Sequence, residues 1–104
     1  MEIIHGGRGS GKTTKVIQKI KESGGILIVA SYGRKQQLVD AGCLTADQIY
    51  TFQERTSLCG THCRYYIDDM ESLLQSLFGT SNTCVGFTAD EIKAIPVNFM
   101  GGDM

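Results

Sequence analysis

The chain has 104 residues, a net charge of −1 and the composition of an ordinary globular protein, so one small domain is expected. The near-neutral balance excludes a general basic footprint for nucleic acid. No apolar run approaches the roughly 18 residues of a membrane span, and Met1-Glu2-Ile3-Ile4 followed by glycines does not read as a signal peptide.

Glu2-Ile3-Ile4-His5 is a short apolar run suited to a first strand. It leads into Gly6-Gly7-Arg8-Gly9-Ser10-Gly11-Lys12-Thr13, which fits G-x-x-x-x-G-K-[ST], a phosphate-binding loop. Glycine allows positive φ and close approach of the backbone, so successive N–H groups can turn inward onto phosphate oxygens. Lys12 would reach the β- and γ-phosphates and the Thr13 hydroxyl would ligate Mg²⁺. The binding set expected from the loop is Gly7, Arg8, Gly9, Ser10, Gly11, Lys12, Thr13 and Thr14. A helix beginning near Gly11 would add the positive end of its dipole. From Thr14 to Ser23 that helix carries Val16, Ile17 and Ile20 at helical spacing, with Lys15, Lys19 and Lys21 off the stripe. Seven basic residues (Arg8, Lys12, Lys15, Lys19, Lys21, Arg34, Lys35) and one acid, Glu22, fall between positions 8 and 35. They form either a solvated helix face or a positive end that receives phosphates.

Gly24-Gly25 stops the helix. Ile26-Leu27-Ile28-Val29-Ala30 is an unbroken apolar run, the pattern of a strand buried on both faces of a parallel sheet. Arg34 to Asp40 suits a short helix with Leu38 and Val39 inward, and Ile49-Tyr50-Thr51-Phe52 suits another strand. Gln53 to His62 is polar and irregular, the pattern of a loop. Within it, Cys59-Gly60-Thr61-His62-Cys63 has the spacing of a metal knuckle, which Cys43 or Cys84 could complete. A second close pair is missing, so ordinary reduced thiols are the expectation.

Tyr65-Tyr66-Ile67-Asp68-Asp69 is an apolar strand ending in acid. It puts a carboxylate at the C-terminal edge of the sheet, where ligands of open α/β folds bind. Asp68 would hold Mg²⁺, mostly through its waters. Met70 to Phe78 reads as a helix with Leu73, Leu74, Leu77 and Phe78 inward and Gly79 as its stop. Thr83 to Thr88 reads as a strand, Asp90 to Ala94 as one helical turn, and Ile95 to Phe99 as a last strand that Pro96 confines to an edge.

The loop, Asp68-Asp69 and Thr88, in this order, resemble the additional-strand branch of P-loop NTPases, which includes RecA-like and AAA-type ATPases and helicase motors. The resemblance covers about Ile3 to Thr88, and the size and the Tyr66-Ile67-Asp68-Asp69 pattern look like small phage-encoded ATP-binding proteins. It implies an α/β three-layer fold with a mainly parallel sheet of about five strands, over one domain spanning residues 1–104. The strand ending at Thr88 would lie between the loop strand and the Asp68 strand, with Thr88 sensing the γ-phosphate. Lys12, Asp69 and Thr88 would be catalytic, and Thr13 and Asp68 would place the metal. The family usually has Glu where this chain has Asp69, one methylene shorter, with Glu71 two residues on. No lid and no arginine finger in cis is evident; Arg34, Arg55 and Arg64 are candidates for one lent by a neighbouring subunit.

The implied activity is a Mg²⁺-dependent ATP-binding protein, with GTP the less favoured nucleotide, and a slow ATPase that needs oligomerisation or a protein partner. Rivals are a nucleotide-binding assembly or regulatory module that does not hydrolyse, and a small nucleotide or nucleoside kinase, for whose lid and acceptor pocket 104 residues leave little room. A nucleic-acid motor has no support in the net charge. No membrane contact and a cytoplasmic location are expected.

Overall fold

The computed structural model describes residues 1–7 and 9–97. Five strands and three α-helices follow in the order β1 (Glu2–His5), α1 (Lys12–Ser23), β2 (Ile26–Val29), α2 (Tyr32–Asp40), β3 (Ile49–Thr51), β4 (Tyr65–Ile67), α3 (Met70–Phe78) and β5 (Lys93–Pro96). Every strand pair is parallel. The chain is therefore a small α/β domain. Among the described residues no helix is long and apolar enough to cross a membrane.

The strands form two ladders rather than one sheet. β2 lies between β3 and β4, and β1 pairs with β5. β2 is central because it can be buried on both faces: Leu27 and Val29 are fully enclosed on one side, and Ile28 is buried on the other. Leu27 and Val29 join Val16, Ile17 and Ile20 of α1, Leu38 of α2, Leu44 and Ile49 in one core cluster. The i, i+1, i+4 spacing in α1 places its three apolar residues on one stripe. Gly25, at φ 114°, takes the chain from α1 into β2; a Cβ there would stand 3.0 Å from the Arg64 carbonyl oxygen, which accepts the Ile26 N–H.

The C-terminal third departs from the expected pattern. Thr83 to Thr88 is exposed and forms no strand, and Asp90 to Ala94 forms no helical turn. β5 begins instead at Lys93 and pairs with β1 in the register Glu2↔Lys93 to His5↔Pro96. The expected last strand thus starts two residues early; its expected end, Asn98-Phe99, lies outside the described residues. Lys93 and Val97 donate their N–H groups to Met1 and His5. Backbone direction alternates along a strand, so the donor that Pro96 lacks would face the outer edge and costs no ladder bond. α3 has the expected bounds, but Leu73 alone is buried in it; Leu77 and Phe78 are exposed. No strand forms at 83–88, and among the described residues no apolar surface covers the outer positions of that helix.

The expected loop after β3 is partly ordered. Phe52–Leu58 is a 3₁₀ helix opened by a capping box: Glu54 N–H donates to Thr51 Oγ1, and Thr51 N–H donates to Glu54 Oε1 at 2.8 Å. Lys35 Nζ lies 3.1 Å from the same carboxylate oxygen. The Thr51 N–H, and then the Lys35 ammonium, hold the Glu54 carboxyl below its ordinary value of 4.5.

Two predictions come from this packing. Leu27→Ala empties a fully enclosed site and is expected to cost about 2–5 kcal/mol in urea unfolding, while Leu77→Ala, at a position 47% exposed, should cost well under that. Because the folded-state pKa of Glu54 is depressed, its contribution is present above pH 4.5 and fades as pH falls through the folded value. Glu54→Gln keeps a capping acceptor but loses the charge. It should therefore lower stability by less than about 1 kcal/mol at neutral pH, with the difference from native closing in acid.

Candidate nucleotide site

The Gly-rich loop connects β1 to α1, the strand–loop–helix context the motif requires. Its conformation depends on glycine at two kinds of position. Gly9 and Gly11 have φ of 75° and 93°. Gly6 is a close approach: a Cβ there would lie 2.3 Å from the Val97 carbonyl oxygen and 2.5 Å from Ser10 Oγ. Val97 comes to that place because its N–H bonds to His5 at the end of the β1–β5 ladder. Gly11 is the N-cap of α1 and supplies no side-chain acceptor, so the first-turn N–H groups have no side-chain cap.

Lys12 folds back over the loop, with Nζ donating to the carbonyls of Gly6 at 2.8 Å and Gly7 at 3.0 Å. Ser10 Oγ is buried and has no hydrogen-bond partner among the described residues. An unpaired buried hydroxyl is costly, and a ligand atom could satisfy it. Gly7, Gly9 and Thr14 are exposed, and the Gly7 carbonyl also accepts the Ser10 N–H. Arg8 lies outside the described residues.

The two distant motifs meet. Thr13 Oγ1 donates to Asp68 Oδ1 at 2.9 Å, across 55 residues of sequence. Asp68 stands just past β4, its N–H bonded to Ile28 of β2, and is 8% exposed. The sheet thereby carries the carboxylate to the first turn of α1. Arg34, near the start of α2, completes the cluster: Nε lies 3.0 Å from Asp68 Oδ2, Nη2 donates to Thr13 Oγ1 at 3.1 Å, and Nη1 donates to Gln37 at 3.0 Å. Arg34 thus lies inside the site of its own chain, where sequence reasoning considered it only as a residue lent by a neighbour. No local signal marks it, because its role depends on three elements meeting. Arg55 packs on the Phe52 ring with its guanidinium carbon 3.9 Å from the centroid, and Arg64 is exposed.

Asp69 is the one non-glycine described residue at positive φ, 58°, and is the N-cap of α3. Its carboxylate accepts from Ser72 N–H at 3.2 Å and Ser72 Oγ at 2.7 Å. The turn at Asp69 separates the two acids: Asp68 goes inward to Thr13, and Asp69 goes to the helix end. Glu71 is exposed in the first turn of α3. Thr88 is exposed in the stretch without regular structure, and among the described residues no hydrogen bond ties it to the loop. Its expected place depended on a strand that does not form.

A hydroxyl and a carboxylate 2.9 Å apart are hard oxygen donors suited to Mg²⁺, which keeps several waters and needs few protein ligands. Among the described residues no group of three or more His, Cys, Asp or Glu converges as a metal cluster; Cys59, Cys63 and Cys84 are exposed and Cys43 is half-buried. Two shallow surface depressions, one beside Met1, Glu91 and Lys93 and one beside Cys43, Leu44 and Gln48, do not border the loop. No family model, curated protein or solved structure matches the chain.

Proposed function

We propose that the domain is a P-loop NTPase of three-layer type that binds Mg-ATP, or less favourably Mg-GTP, and hydrolyses it slowly, reaching full turnover only with further copies of itself or a partner protein. The observation that carries this reading is the Thr13–Asp68 hydrogen bond at the head of a glycine-shaped loop holding Lys12. A lone motif can be a turn before a helix. A motif whose hydroxyl meets a buried carboxylate at the end of a parallel strand has the two halves a metal-nucleotide site requires.

Thr13 and Asp68 would hold Mg²⁺, which neutralises charge on the phosphates when bound. Lys12 must leave the Gly6 and Gly7 carbonyls to pair with phosphate, exchanging two neutral acceptors for an anionic one. The uncapped N–H groups of α1 and the unpaired Ser10 hydroxyl supply further donors to an anion. Asp69 or Glu71 would orient the attacking water.

Two observations favour the second reading, a module that binds nucleotide without hydrolysing it. The Asp69 carboxylate is already occupied by Ser72, and Thr88 stands apart from the loop.

A hundredfold excess of Mg-ATP over its dissociation constant should stabilise the protein by about 2.7 kcal/mol. In a domain of this size that raises the melting temperature by roughly ten degrees or more. Lys12→Ala should remove most of the shift, and Asp68→Asn should weaken its dependence on Mg²⁺. The absence of any shift with ATP or GTP would sink the nucleotide reading.

Phosphate release separates the two readings. Asn is as good an N-cap as Asp and tolerates positive φ, so Asp69→Asn should preserve α3 and leave binding intact while lowering hydrolysis. A native rate in Asp69→Asn with a loss in Glu71→Gln would assign the water to Glu71. If neither change alters a measurable rate, the non-hydrolysing module is the better reading.

A further inference from the structure

We infer that Arg34 is a built-in counter-cation for the metal position, which Mg²⁺ must displace before metal-nucleotide can bind. This rests on the metal-nucleotide reading of the Thr13–Asp68 pair.

Asp68 is a buried carboxylate, and such a charge persists in the folded interior only with a partner. Among the described residues Arg34 is its ion-pair partner. The guanidinium is a rigid planar fork, and two of its donors address the two oxygens that a metal would use: Nε meets Asp68 Oδ2 at 3.0 Å and Nη2 meets Thr13 Oγ1 at 3.1 Å. Thr13 already donates its hydroxyl proton to Asp68, so Arg34 takes one of the lone pairs left for a cation. A divalent ion brought onto the same oxygens would stand against a like charge at contact distance. The arrangement with Arg34 and the arrangement with metal therefore exclude one another.

The position of Arg34 in its helix supports an acquired role. It lies in the first turn of α2, where the helix dipole disfavours a cation and where no acid of the same helix balances it. The ion pair with Asp68 offsets that unfavourable placement. Its side chain is 37% exposed against 9% for Asp68, so the arginine has solvent to move into while the carboxylate stays in place. Gln37, one turn on, accepts from Nη1 and anchors the side chain beside the site. Once displaced, the same cation stands next to the phosphates on its own chain.

Mn²⁺ alone, without nucleotide, probes the competition directly, with free ion counted by electron paramagnetic resonance. Arg34→Gln is expected to bind Mn²⁺ at least tenfold more tightly than native protein, and Asp68→Asn added to that variant should abolish the gain. Arg34→Lys, which keeps charge but loses the fork, should fall between. Unchanged or weaker Mn²⁺ binding in Arg34→Gln overturns the inference, as does a gain that survives Asp68→Asn. Should the variants fold poorly, the native protein still decides: the Arg34 Nε–H resonance should move on saturation with Mg²⁺, and a stationary resonance overturns the displacement. Loss of the nucleotide reading would appear separately, as no thermal shift with ATP or GTP, while the Mn²⁺ comparison still tests Arg34.

Discussion

A buried negative charge organises this molecule. Asp68 stands where β4 ends, is nearly enclosed, and is satisfied by groups from two other elements: the Thr13 hydroxyl of α1 and the Arg34 guanidinium of α2. Each depends on the parallel ladder β3–β2–β4, which sets the carboxylate at the strand ends beside both helix N-termini. A carboxylate at this depth constrains all three elements at once, because removing one partner leaves charge without compensation. The loop chemistry and the sheet architecture are coupled through this residue.

The second ladder shapes the loop from the other side. β5 brings Val97 to the end of β1, and the Val97 carbonyl closes over Gly6 so tightly that no larger residue fits there. Residues distant in sequence therefore set the curvature of a motif usually described by its own glycines. Among the described residues no ladder bond joins β1 to β4. The two ladders are connected through α1, which packs on β1 and β2, and the apolar core lies where α1 and α2 cover the β2–β3 face.

The interior is correspondingly small. Its largest fully enclosed side chains are Ile20, Leu27, Ile49 and Val29. The exposed face of α3 and the exposed Val85 and Phe87 contribute little apolar burial in this arrangement. Polar links such as Thr51–Glu54–Lys35, which bind the 3₁₀ helix to β3 and α2, matter more in a domain whose core is limited.

Much of the site was legible because its signals are local. The glycine loop, the i, i+1, i+4 stripe of α1, the unbroken apolar run of β2 and the acid after Tyr65-Tyr66-Ile67 each express a backbone or burial requirement within a few residues. β1 and α3 appear with the bounds that pattern predicts, and the strand ends at Ile67, just before Asp68, so that the two acids part. What only the tertiary structure decided depends on distant partners. Arg34 entered the site because α2 starts beside Asp68, and Asp69 became a helix cap because the turn set its direction. Thr83 to Thr88 has the β-branched and aromatic content of a strand but pairs with none of the described strands, and Thr88, Leu77 and Phe78 are exposed. The shift of the last strand to Lys93 followed from its register with β1. Propensity expresses what a segment can form; hydrogen-bond pairing and charge compensation between separate segments determine what it does form, and neither is written in the segment itself.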